Sequence, residues 1–139
     1  MGTTVPSNFT GRLEKFGEDT DGSTSEVVII GPVSIASISA PSNQNRGNAH
    51  RIRDFAVAVS KSASNTRVYI QKSNDNTNWT KVAAIIIPDY GNYLKSYMGS
   101  KGIVIRQGQH WRVIAQQTTA ARITCEILGD TAFDNVVDI

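Results

Sequence analysis

Arg67-Val68-Tyr69-Ile70-Gln71-Lys72-Ser73-Asn74-Asp75-Asn76-Thr77-Asn78-Trp79-Thr80-Lys81-Val82 is the stretch that decides the fold. Val68 and Ile70 alternate with Arg67, Tyr69 and Gln71, the period of a strand with one apolar face. Residues 73–78 are Ser, Asn, Asp and Thr. Such side chains bond their own backbone and tolerate left-handed geometry, so they make turns. A second strand returns from Trp79, with Val82, Ala84 and Ile86 in phase. Strand, polar turn and strand make a β-hairpin, which ends at residues 88–91.

The same pattern continues on both sides. Upstream, residues 26–30 form a short apolar run closed by Gly31-Pro32. Residues 33–40 alternate and then slip phase between Ile35 and Ile38, the mark of a bulge. Residues 41–48 read as a polar loop. Phe55, Val57 and Val59 define one face of a strand; Ala56 and Ala58 point the other way, which predicts cover on both faces. Residues 60–65 make a turn. Downstream, residues 93–98, 103–106, 111–116 and 122–128 read as strands separated by Gly- and polar-rich turns. In the last of them Ile123, Cys125 and Ile127 share a face. Short strands with turn signals every 8–12 residues and no helical period predict an all-β protein, an antiparallel β-sandwich or jelly roll with an extended N-terminal arm. The expected core is Phe55, Val57, Val59, Val68, Ile70, Val82, Ile86, Val113, Ile123 and Ile127.

Charge divides the chain into three parts. Residues 1–26 carry net −3, residues 27–128 carry net +8 and residues 129–139 carry net −3. Opposite fields on one polypeptide favour contact between copies, or between the ends and their own body. The expected organisation is an extended arm over 1–25, a sandwich body over 26–128 and an acidic-apolar tail over 129–139. Gly11 and Gly17 discourage a helix in the arm. Its apolar residues Phe9, Leu13 and Phe16 then read as anchors on an extended strand lying across another subunit. In the tail, Phe133 and Ile139 alternate with Asp130, Asp134 and Asp138, so the tail is expected to dock on cationic surface, its own or a neighbour's. Arg46, Arg51 and Arg53 form a basic cluster beside His50. The expected partner-binding residues are therefore Phe9, Leu13, Phe16, Arg46, Arg51, Arg53, Phe133 and Ile139.

Motifs for chemistry are weak. His50 and His110 stand apart and read as surface or turn residues, and with Cys125 they make no zinc spacing. No Gly-x-Ser-x-Gly elbow is present. Glu18-Asp19-Thr20-Asp21-Gly22 fails the calcium-loop register. Cys125, in phase with two isoleucines, reads as an inert core thiol. Scattered cations opposed by acidic ends argue against nucleic acid as a partner. No apolar run reaches the ~20 residues of a membrane helix, and no secretory signal is seen at the start. The expectation is a non-enzyme with no cofactor, no metal and no membrane contact, made in a reducing cytoplasm.

The 67–82 hairpin resembles one seen in discoidin-type sandwiches, though the paired cysteines of secreted versions are absent. Over its whole length the chain is similar in organisation to small β-sandwich virion accessory proteins of tailed phages, the cement, decoration and head-fibre proteins. That resemblance implies a structural virion protein that stabilises neighbouring capsid subunits. Its partners would be the major capsid protein or other virion subunits, and its own state a trimer or dimer. The alternative is a glycan- or receptor-binding module of a tail or fibre, with Trp79, Tyr90, Tyr93, Tyr97 and Trp111 as candidate platforms.

Overall fold

The structure, a computed structural model, describes residues 9–19, 25–35, 46–60, 66–87, 91–96, 102–116 and 122–135. They form nine strands in chain order: β1 (Phe9–Asp19), β2 (Val27–Ser34), β3 (Arg46–Val59), β4 (Thr66–Ser73), β5 (Thr80–Ile87), β6 (Gly91–Ser96), β7 (Ile103–Ile105), β8 (His110–Gln116) and β9 (Ile123–Asn135). Among the described residues there is no helix. One sheet runs β1-β9-β3-β6, with β7 also paired to β3; the other runs β2-β8-β4-β5. All pairings are antiparallel. β6 lies against Asp54 to Val59 of β3, and β7 against His50 to Ile52. Both lie on the side of β3 away from β9, so they occupy one strand position between them. Strands β1 to β4 thus alternate between the sheets, β5 folds back on β4, and the later strands return across both sheets, which is jelly-roll order.

The two inner faces meet in one core. Ile52, Phe55, Val57 and Val59 of β3 pack with Val68 and Ile70 of β4, Trp111 and Val113 of β8, and Ile123, Cys125 and Ile127 of β9. Trp111 and Phe55 are fully enclosed. Antiparallel sandwiches alternate apolar-in and polar-out residues along each strand, and that alternation fixes which side chains reach the outer faces.

Several expectations change here. Residues 9–19 are not an arm reserved for another chain. β1 pairs along its length with β9 of the same chain, Phe9 opposite Ala132 through Asp19 opposite Ile123, and Leu13 lies in the core. The reason is that Leu13 and Gly17 form an inward face despite the surrounding polar residues. A Cβ at Gly17 would collide with the Ile29 carbonyl oxygen of β2, so glycine lets the two edge strands approach. Likewise β3 begins at Arg46, inside the expected loop, and β2 continues through Gly31-Pro32. That cis peptide lies within the register shift between Ile30 and Val33, just after another between Val28 and Ile30. The expected phase slip between Ile35 and Ile38 lies beyond Ile35, outside the described residues. The expected tail is not separate: β9 runs without a break through Asn135, against β3 and β1.

Val82 and Ile86 are not core. A register shift between Ile70 and Gln71 leaves Val82 unpaired in the ladder. Beyond it the inward residues are Ile85 and Ile87, while Ile86 is 60% exposed. The turn at 73–78 is as expected. The Asp75 carboxylate accepts from the Thr77 and Asn78 backbone N–H groups and from Asn78 Nδ2. These donors, the two backbone N–H groups foremost, hold its pKa well below the usual carboxylate range.

Candidate interaction surfaces

The register places side chains on the outer face of the β1-β9-β3-β6 sheet in rows. Phe16, Glu126, Ala56 and Leu94 form one row across four strands. Glu18, Thr124, Ala58 and Asn92 form the next; Glu14, Leu128, Asp54 and Ser96 flank it on the other side. Phe16 and Leu94 are 64% and 68% exposed. Between them the small Ala56 and Ala58 leave a trough of about 380 Å³, also lined by Thr124, Glu126 and Asn92. The two alanines were expected under cover; instead they floor an open groove walled by two large apolar side chains. The groove rows carry Glu14, Glu18, Glu126 and Asp54. Arg122 donates to Glu18 at 2.7 Å, and Arg12 to Glu14 at 2.6 Å.

The basic cluster lies at the other end of this face and is already engaged. Arg51 donates through Nε and Nη2 to Asp130 Oδ2 at 3.1 and 2.9 Å. Arg53 Nη1 reaches the same oxygen at 3.5 Å. The register shift between Ile52 and Asp54 brings both guanidiniums to one carboxylate. The first acid of the expected tail thus docks on its own body.

The expected binding residues divide as follows. Phe16 is exposed on the groove. Leu13, at 3% exposure, is a core residue and unavailable to a partner, a correction to its reading as an anchor. Arg51 and Arg53 hold Asp130. Phe9, Arg46 and Phe133 sit on adjacent strands, with Phe9 opposite Ala132 and Arg46 opposite Asn135, while their side chains lie outside the described residues, as does Ile139 entirely. Leu94 and Glu126 carry no signal in the sequence, and Ile86 reads there as core.

The outer face of the other sheet is cationic. Arg67, Lys81 and Arg112 project from β4, β5 and β8 at outward ladder positions. Among the described ion pairs none involves these three. Lys81 Nζ lies 4.0 Å over the Tyr69 ring, and the Arg112 guanidinium 4.2 Å over Trp79. Arg112 Nε also donates to Gln71 Oε1 at 2.8 Å. Such stacking lets the cations cover apolar surface while their charge stays at the rim. Ile86 at 60%, Val28 at 41% and Val82 at 37% are the exposed apolar groups here.

Reactive groups are held quiet. Burial pushes the Cys125 thiol up to about 12, with a smaller push from Glu126. His50, expected at the surface, is half-buried on β3, and its Nδ1 accepts from Trp111 Nε1 at 3.1 Å. Burial, then Lys15, lowers its pKa. His110 Nδ1 lies 2.7 Å from Ser34 Oγ, tying β8 to β2. Among the described residues no group of three His, Cys, Asp or Glu could hold a metal, and no helix is long and apolar enough to cross a membrane.

No protein-family model matches this sequence, and no curated protein matches it. Solved structures of similar shape do exist. A chain from the capsid of Ralstonia phage GP4 aligns with a TM-score of 0.50 at 13% identity, over 94% of this chain and 90% of that one. The crystal structure of PirA aligns with a TM-score of 0.40 at 8% identity, over 94% and 99%. A family 29 carbohydrate-binding module aligns at 0.29 and 11% identity, over 91% and 98%. At 13% identity the likeness to the capsid chain speaks for the fold alone.

Proposed function

We propose that this chain is a non-enzymatic structural protein of a phage particle, a capsid cement or decoration protein that bridges neighbouring subunits of the shell. The observation that carries the reading is the outer-face groove. Soluble monomers rarely present a contiguous apolar surface without a use for it. Here Phe16 and Leu94 stand open on either side of an alanine floor. Glu14 and Glu18 on its margin already pair with Arg12 and Arg122, and Asp54 and Glu126 beside them suit a cationic rim on the partner. The likeness in fold to a chain of a phage capsid is compatible with this use. The glycan reading has less to stand on: Trp111 is fully buried, and the ring of Trp79 is covered by Arg112.

The test is binding to purified phage heads that lack the protein. The wild-type chain should co-sediment with heads and raise the temperature at which they release DNA. Phe16→Asp should reduce binding at least about tenfold, a loss of roughly 1.4 kcal/mol. Absence of head binding, or saturable retention on a glycan surface that survives Phe16→Asp, would sink the proposal.

A further inference from the structure

We infer that the partner of the groove is a second copy of this chain, presenting the outer face of its β2-β8-β4-β5 sheet. The inference rests on the reading of the groove as a subunit contact and adds the identity of what fills it. A fitting partner must bring an apolar projection to lie between Phe16 and Leu94, and cations to face Asp54 and Glu126, the two acids of these rows outside the described ion pairs. The other side of the same molecule carries both. Ile86 stands out at 60% exposure, directly opposite Arg67 in the ladder, with Lys81 and Arg112 further along the same face. The complementarity lies between unlike faces. Groove against groove would bring Glu126 towards Glu126, and ridge against ridge would crowd the cations, and like charges in juxtaposition are disfavoured.

A contact between unlike surfaces is heterologous, and the two surfaces lie on opposite sides of one sandwich. Their repetition leads to an open stack and not to a closed ring. With about 10 Å between facing sheets, within and between copies, each copy advances the stack by about 20 Å. Four strands at about 4.8 Å and seven residues at about 3.4 Å make a face of roughly 450 Å², or about 900 Å² in total. That is below the ~1,200 Å² of standard stable interfaces. The contact is therefore weak for a free pair and becomes effective at the high local concentration of a particle surface. One end of every stack keeps an open groove, available to another virion subunit.

The experiment uses the purified full chain alone, by sedimentation velocity over a roughly hundredfold concentration range. Wild type should show an open ladder of species that grows with concentration. The ladder should shrink at about 1 M salt, where the Debye length falls to about 3 Å. Phe16→Asp spoils the groove and Ile86→Glu spoils the ridge, so each alone should sediment as monomer, and the two spoiled surfaces repel each other. Mixed in equal amounts they should form a one-to-one dimer and nothing larger, because one variant offers a live ridge and the other a live groove. Both positions are exposed, and an unchanged circular dichroism spectrum confirms folding. Should either variant melt early, the pair Glu126→Lys and Lys81→Glu serves instead: each alone should sediment as monomer, and the equal mixture should regain the open ladder, because the reversed charges complement each other in one contact and the native charges in the next. Wild type that stays monomeric throughout, or a closed oligomer indifferent to Ile86→Glu, overturns the inference. Head binding measured separately tells the two readings apart: a monomeric chain that still binds heads removes the stacking alone.

Discussion

His50 shows how one side chain ties the core to solution conditions. Trp111 is fully buried, and its indole N–H donates to His50 Nδ1 at 3.1 Å. That bond requires an unprotonated Nδ1. Burial and then Lys15 keep the folded-state pKa below the ordinary 6.5, so the unfolded chain takes up the proton more readily. The stabilisation is thus present above about pH 6.5 and lost as pH falls through the folded value. Melting temperature should fall between about pH 7.5 and 5 in the wild type, and that slope should flatten in His50→Gln. At neutral pH His50→Ala should cost about 1–3 kcal/mol, since it strands a buried donor. An unchanged pH slope in His50→Gln would show that the titration arises elsewhere. Nothing in Asn48-Ala49-His50-Arg51 announces this role. The bond spans β3 and β8, and such a pairing enters a sequence only through the fold.

At the scale of the element, strand β5 separates what periodicity can tell from what it cannot. Apolar residues at 85, 86 and 87 are compatible with either phase, and Val82, Ala84 and Ile86 make the neater alternation. The extra residue at Val82 moves the buried set to Ile85 and Ile87, since a one-residue slip sends each side chain to the opposite face. Ile87→Ala should cost about 2–5 kcal/mol in denaturant melts, and Ile86→Ala less than about 0.5. Comparable losses at both positions would restore the phase expected from the sequence. In β3, β4 and β9 the alternation carries no such ambiguity, and Phe55, Val57, Val59, Val68, Ile70, Ile123 and Ile127 are buried as expected. β1 was obscured for another reason. Its inward face is Leu13 and Gly17 with charged residues between them, which is too little apolar signal for a strand. The groove is not legible in the sequence because Phe16, Ala56, Glu126 and Leu94 come together only through the register of four strands.

For the molecule as a whole, the two ends of the chain close the sandwich. β1 and β9 pair across more than a hundred positions of sequence, from Phe9 opposite Ala132 to Asp19 opposite Ile123. Gly129 to Asn135 also pair with Arg46 to Ile52 of β3. The charge segregation of the sequence is partly spent inside the molecule, in Asp130 against Arg51 and Arg53 and in Glu18 against Arg122. These pairs are partly or largely solvent-accessible, so each contributes at most about 1 kcal/mol. Their effect is to favour one register over its neighbours. Strand pairing along two ladders stabilises this end of the chain more than the ion pairs do. Truncation after Leu128 removes the second half of β9, and with it the ladder partners of residues 9–13 and 46–52. Asp130→Asn leaves all of that in place and weakens one exposed cluster. The truncated chain should therefore melt well below the wild type, while Asp130→Asn should shift stability by about 1 kcal/mol or less. Calorimetry on the two variants decides the ranking. A silent truncation beside a damaging Asp130→Asn would mean that charge, and not strand pairing, holds the C-terminal end in place.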